Sequence, residues 1–391
     1  MFHGRGWRGQ ASRRSLFFAY IPDPRVERTR RHDLVDVIVM SVLAVICGAN
    51  HWTEIVDFAE TRKEWLRSFL RLPSGIPGVD TFRRVFAALD VEAFNRAFIE
   101  WTQSLTDTVK GKLVAIDGKT LRGSYTTSEK NDARHIVSAW VGENHIVFGQ
   151  LATEAKSNEI TAIPKLLKML DLKGATVTID AMGCQHKIVE AIIDKDADYL
   201  IAVKENQPKL REEVEVAFAT ASLTDEKLPR TARYESTEKA HGRHEARRVL
   251  VLETEDRLSE SQSWKGLQSL VWVDSERTVK GKHSREDRYY ITSVKPDAAV
   301  IAKLVRGHWG IENQQHWTLD MAFDEDRNRT RKKNGPDNFA LLRRIALNLL
   351  KLETSKKRSI QRKRLTAGWD THYLLRVLEA GAQQNADPPA R

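Results

Sequence analysis

The stretch Leu113–Ser124, LVAIDGKTLRGS, decides how the rest of the chain is read. Leu113 to Ile116 are four apolar residues with the pattern of a short buried strand, and Gly118 follows at once, so Asp117 is expected at the strand's end, facing a site instead of the core. Downstream, Ala175–Ile179 (ATVTI) alternates small and β-branched residues and ends on Asp180. In an open α/β sheet the C-terminal edge of the strands is where ligands bind. Two carboxylates brought there from distant sequence suit Mg²⁺, a hard cation that takes oxygen ligands. Either aspartate alone reads equally well as a turn residue after a strand.

Working outward, strands are expected at 113–117, 135–141 and 145–152, a helix at 158–170, the Asp180 strand, a helix at 185–195 and a strand at 199–203. Three strands, then helix, strand, helix, strand is the ribonuclease H-like order, in which the first and fourth strands lie side by side. That order puts Asp117 and Asp180 in one site. The expected fold class is therefore α/β, a ribonuclease H-like catalytic core (111–223 and 297–352) with a β-rich insertion at 224–296, preceded by an all-α N-terminal domain at 33–110. The insertion shows three strand-like segments, RRVLVLETE, SLVWVD and DRYYITSV. Its HGRHEARR loop makes no zinc helix, because Arg248 stands where the second histidine would be needed. In the helical domain, Asp80 is expected to cap a helix, and the domain reads either as a helix-turn-helix-like DNA binder or as a bundle that supports the core.

The charge balance points to a polyanionic partner. The 391 residues carry 63 Lys+Arg against 53 Asp+Glu, a net +10, and 41% hydrophobic residues supply a core that excludes a disordered chain. The basic residues are clustered: an N-terminal arm (1–32) with eight arginines up to Arg31, the run Arg327–Lys333 (RNRTRKK), and the run Lys356–Arg364 (KKRSIQRKR) opening a basic C-terminal helix and flexible tail (353–391). Three such clusters favour phosphate contacts. Only Cys47 and Cys184 occur, so no disulfide framework is expected, and the apolar run Val37–Ala49 is too short to span a membrane. A cytoplasmic protein with no membrane partner is expected.

Beyond these residues, a set of motifs carries a family resemblance: DPR…RRH at 23–32, AIDGKTLRGS at 115–124, KSNEITAIP at 156–164, TIDAMGCQ at 178–185, KENQP at 204–208, HGRHEARR, RYYITS at 288–293, RGHWGIEN…HW at 306–317 and NFALLRRIALNLLK at 338–351. In this order the chain resembles bacterial insertion-sequence transposases of the DDE class, in the branch of H-repeat-associated proteins linked to Rhs elements. The resemblance implies a catalytic, metal-binding triad of Asp117, Asp180 and Glu312 holding two Mg²⁺ ions, for which Mn²⁺ can substitute. It also implies double-stranded DNA (element ends and target) as partner, and a homo-oligomer, expected as a dimer, on that DNA. Such enzymes cleave at the element ends and join the freed 3′-OH to target DNA.

The chain departs from the wider group at two places. His308 stands four residues before Glu312 where Arg is usual, and Leu319 stands seven after it where Lys is usual. Either Arg306 and Lys332 or Lys333, beside Arg331, take over those phosphate contacts, or the contacts are absent. Lys119 and Arg122 are further candidates, with a solvated loop as the equal alternative. Gly118-Lys119-Thr120 is no P-loop, since Leu113 holds the place of the upstream glycine. Asp320, Asp324, Glu325 and Asp326 compete with Glu312 for the third ligand position. Two other function classes stay open: a non-catalytic DNA-binding remnant of a mobile element, and a stand-alone metal-dependent nuclease of the same fold.

Overall fold

The computed structural model describes residues 16–105, 108–125, 133–153, 159–223, 231–240, 242–254 and 257–381. The basic arm up to residue 15, the tail from 382 and His241 of the basic loop lie outside the described residues.

Four main helices open the fold: α1 (Leu34–Ile46), α2 (Trp52–Thr61), α3 (Val79–Ala88) and α4 (Val91–Ser104). Asp33 caps α1 by accepting the Val35 N–H at 2.9 Å, and the helix is buried nearly all round, as a run of Val, Leu, Ile and Met requires. At α3 the cap differs from expectation. Gly78 holds the N-cap position and Asp80 sits inside the first turn, where its charge complements the helix dipole and pairs with Arg83 at 3.0 Å.

Nine strands form one sheet: β1 (Leu113–Thr120), β2 (His135–Val141), β3 (Ile146–Ala152), β4 (Thr176–Ile179), β5 (Asp198–Val203), β6 (Thr231–Ala240), β7 (Arg243–Glu253), β8 (Ser269–Val279) and β9 (Lys282–Thr292). Their order across the sheet is β3-β2-β1-β4-β5-β9-β8-β7-β6. Helices α5 (Glu159–Met169) and α6 (His186–Ile193) connect β3 to β4 and β4 to β5, and α7 (Pro208–Leu223) follows β5. β1, β4 and β5 run parallel, and their Val and Ile side chains are covered on both faces, as parallel strands require.

Two expectations about strands change. β1 does not end at Asp117, because β2 goes on pairing with it through Gly118↔Val137 and Thr120↔His135. The segment expected as an insertion is not set apart either. β9 pairs antiparallel with β5, from Leu200↔Thr292 to Val203↔Tyr289, so four antiparallel strands prolong the same sheet. β6, which the apolar pattern did not reveal, is the charged outer edge strand; TARYESTEKA carries little apolar surface because an edge needs charge to deter further pairing.

The chain closes with α8 (Ala298–Gly310), a π-helical turn (Ile311–His316), α9 (Trp317–Phe323), α10 (Gly335–Leu352), α11 (Ile360–Trp369) and α12 (Thr371–Ala380). α10 is the axle of the helical part. Trp52 meets Phe339 edge-on at 4.6 Å, Asn338 donates to the carbonyls of Phe86 (2.8 Å) and Leu89 (3.0 Å), and α11 reaches α1 through Arg364, which donates to the Val45 carbonyl at 2.8 Å. The opening and closing helices thus bury one shared core. No described helix is long and apolar enough to cross a membrane.

Candidate active site

Pairing between β1 and β4 ends at Ile116↔Ile179, so Asp117 and Asp180 are the next residues on two adjacent parallel strands. Asp117 accepts the Gly118 N–H at 2.9 Å, and Asp180 accepts the Met182 N–H at 3.1 Å where the chain turns away after β4. Glu312 arrives from the far end of the sequence on the π-helical turn, a distortion that recurs at functional sites. Close contacts seat that turn against the sheet. Ile311 is buried with Ala115 and Trp140, His308 Nδ1 meets Thr178 Oγ1 at 2.9 Å, and a Cβ at Gly310 would stand 2.3 Å from the Trp140 ring.

A fourth carboxylate lies here that the sequence reading did not single out. Glu159, at the start of α5, is buried and bonds His135 Nε2 at 2.6 Å. Its one signal in the sequence is its place inside KSNEITAIP at 156–164. Gly118 makes the room: a methyl there would lie 2.2 Å from Glu159 Oε1 and 2.3 Å from His135 Nε2. Because that carboxylate and ring are tied to each other, neither can simply swing aside. Gly118→Ala is therefore expected to cost about 1–3 kcal/mol. Urea unfolding measures this, and an unshifted midpoint would show the pair to be freely movable.

The carboxylates share one electrostatic problem. Burial pushes Asp117 up to about 7, its bond from the Gly118 N–H opposes the rise, and the charges of Glu159, Asp180 and Glu312 add to it. Asp180 is raised by burial and then by Glu159, against the Met182 and Gly183 N–H groups and Lys204. Glu312 is raised by burial, held back by Arg288 and Lys204 and pushed up by Asp180; it stands at the exposed rim, where water screens the repulsion. His316 places Nδ1 3.5 Å from Asp117 Oδ2. Burial, together with the charges of Arg344 and Lys119, brings its pKa down to about 3, so the ring faces Asp117 uncharged.

An all-oxygen donor set that repels itself fits a hard divalent cation, which would supply the missing positive charge. Among the described residues no three His, Cys, Asp or Glu side chains are already drawn together into a cage for such an ion.

The basic candidates divide. Lys119 is buried and bridges Asp320 (2.7 Å) and Asp326 (3.0 Å), so its charge is spent inside the fold and it is not an open phosphate ligand. The same bridge draws Asp320 into a clamp of its own. Arg306 pairs with Glu238 on β6. Arg122 is exposed, 3.5 Å from Asp326. Arg331 donates to the Gly123 carbonyl at 3.3 Å, and Lys332 and Lys333 are exposed just before α10. Leu319 is fully buried and His308 is held by Thr178; both are packing positions. The cations that do act on the carboxylates are Lys204, from KENQP, and Arg288, from RYYITS, whose guanidinium lies 4.5 Å over the Trp309 ring and bonds Glu286 at 2.7 Å. Neither stands near Asp117 in sequence, and only the pairing of β9 with β5 brings Arg288 into range.

Comparison with known proteins shows the family to which the chain belongs. The family model described as "Transposase DDE domain" matches residues 109–349, and one described as "DDE_Tnp_1-associated" matches 16–102. The chain is 42% identical over 366 residues to "Putative transposase YncI" of Escherichia coli O157:H7, covering 93% of each. It is 39% identical over 363 residues to "H repeat-associated putative transposase YhhI" of Escherichia coli K12, covering 92% of this chain and 95% of that one. Among solved structures, the piggyBac transposase synaptic complex with hairpin DNA aligns over 99% of this chain and 80% of its own, at 12% identity and a TM-score of 0.43. With the first model covering well over half of the chain, and relatives matched along nearly their whole length, the protein belongs to the DDE transposase family, alongside its H repeat-associated members.

Proposed function

We propose that the protein is a DNA transposase that cleaves double-stranded DNA at the ends of its insertion sequence and joins the freed 3′-OH to target DNA, working as a dimer on that DNA. The observation that carries this reading is the convergence of Asp117, Asp180 and Glu312, from two adjacent parallel strands and a π-turn, into one self-repelling group of carboxylates. The order β3-β2-β1-β4-β5 supports reading the core as ribonuclease H-like. Asp117, Asp180 and Glu312 are the residues that would hold two Mg²⁺ ions, with Mn²⁺ as a substitute. Bound there, such ions supply the positive charge that activates a water and stabilises a departing 3′-oxygen.

The chain's own residues prepare the rest. Glu159 and His135 brace Gly118, and through it the direction in which Asp117 points. Neutral His316 backs Asp117 without competing for positive charge. Lys204 and Arg288 are positioned to meet the scissile phosphate, in place of the Arg and Lys usual around the glutamate. Arg122, Arg331, Lys332 and Lys333 extend the positive surface along the DNA. The presence of Asp117, Asp180 and Glu312 together in the chain favours catalysis over a non-catalytic remnant, and a strand-transfer assay separates a transposase from a plain nuclease.

Metal binding has a test that needs no turnover. Asp117 is raised in the folded state, so the metal-free protein holds its proton more tightly than the unfolded chain does. Stability is then lost as pH rises from the ordinary carboxylate value of about 4 to about 7. Mg²⁺ is expected to restore it, raising Tm by a few degrees at saturation and by more at pH 8 than at pH 6. Calorimetry reads the shift. An equal shift in Asp117→Asn would place the ion elsewhere.

A further inference from the structure

A second basic site lies where the opening helices meet the start of α10. A cavity of about 490 Å³ is lined by His51, Trp52 and Thr53 from the start of α2, Arg83 from α3, Arg329–Lys332 from the run before α10, and Gly335 at its first turn. Four of these residues carry a fixed positive charge and none is acidic. The charge is open as well as concentrated. Arg329 and Lys332 are exposed, and among the described residues neither has a carboxylate partner, whereas Arg83 pairs with Asp80 at 3.0 Å and Arg331 rests on the Gly123 carbonyl. The walls are stiff. Trp52 is wedged between Phe86 and Phe339, and Asn334 donates to the Leu89 carbonyl at 3.0 Å, so segments far apart in sequence are locked into one concave surface. The N-terminal turns of α2 and α10 open on the same space, but each carries an acidic residue, Glu54 and Asp337, so the open positive charge is that of Arg329 and Lys332.

We infer that this cavity is a phosphate-binding subsite that grips the backbone of a DNA strand entering or leaving the carboxylate site, with Arg329 and Lys332 as its free contacts and Arg83 and Arg331 as its walls. The inference rests on the proposed transposase reading and gives the opening helices a part in it. Arg331 links the two places, since Gly123 lies six residues beyond Asp117 on the turn that follows β1. Contacts of this kind fix register and carry no base sequence, so the subsite serves any duplex.

The test is the salt dependence of binding to a labelled duplex of arbitrary sequence, using the full chain. Each phosphate neutralised by Lys or Arg contributes about −0.9 to the slope of log K against log salt. The double variant Arg329→Ala/Lys332→Ala, at two exposed positions, is expected to flatten that slope by about 2. Lys168→Ala/Lys173→Ala, which removes the same charge from exposed positions on and just after α5, is expected to leave it unchanged. Equal flattening by both pairs would show only a loss of general charge and overturn the subsite. An unchanged slope in the first pair would overturn it too, while Asp117→Asn could still abolish cleavage and leave the transposase reading standing. Failure of the unaltered protein to bind or cut DNA would remove both.

Discussion

Replacing Asp117 by asparagine is expected to leave a folded protein whose metal-dependent DNA cleavage has fallen by about 10³-fold or more. A bound divalent ion is worth several kcal/mol of transition-state charge stabilisation, and each 1.36 kcal/mol lost is roughly tenfold in rate. The amide keeps the shape of the carboxylate but not its charge, and it relieves repulsion with Glu159, Asp180 and Glu312, so the metal-free variant should be no less stable above neutral pH. Asp180→Asn and Glu312→Gln are expected to fall as far. Asp320→Asn is expected to keep a measurable fraction, because Asp320 is engaged by Lys119 and sits in a separate clamp. Gel assays of nicking with Mg²⁺ decide the matter. Full activity in Glu312→Gln with loss in Asp320→Asn would move the third ligand two turns along the helix.

The second large effect is on stability. Glu325→Gln is expected to cost about 3–5 kcal/mol, the usual result of taking one partner from a buried ion pair. Arg343 and Arg344 lie side by side on α10, both fully buried, and Glu325 is the carboxylate that meets Arg344, with Nη2 to Oε2 at 3.4 Å and a closer contact from Nη1. Burial pulls Arg343 down to about 10, with Glu325 opposing the drop. For Glu325, burial works upward, but Arg344 and Arg343 outweigh it and hold the carboxyl below its usual range. The sign follows from that. A depressed carboxylate contributes stability above its unfolded pKa of roughly 4.3 and loses it as pH falls through the folded value, so the unaltered protein should weaken in acid and the glutamine variant much less so. Urea unfolding at pH 7 gives the cost, and a loss under about 1 kcal/mol would mean that water reaches the guanidinium pair.

Much of the architecture could be read from periodicity because its strands are short, apolar and bounded by turns. His135–Val141, Ile146–Ala152, Thr176–Ile179 and the helices between them fall within a residue or two of expectation. β6 was invisible for the opposite reason, since an edge strand is charged where a buried one is apolar. The end of β1 was misplaced because Gly118 reads as a breaker, whereas here it is a strand residue whose missing side chain admits Glu159 and His135. Around the site, strand-end aspartates announce themselves locally. Glu159, Lys204 and Arg288 do not, for their relevance is created by tertiary pairing. Nor could the sequence show that Lys119 would be neutralised by Asp320 and Asp326, two hundred residues away along the chain.

Continuity of the sheet across β5 and β9 also limits how this protein can be rebuilt. Strands β6 to β9 look like a cassette in the sequence, yet β9 is the hydrogen-bonded neighbour of β5 and carries Arg288. Excising the cassette would strip β5 of one of its two partners and turn a largely buried, apolar strand into an open edge, the form of surface that recruits other chains. Grafting it from a relative would require matching both the β5 register and the Arg288–Trp309 stack. The segment and the centre it borders are therefore best exchanged together, as one inherited unit.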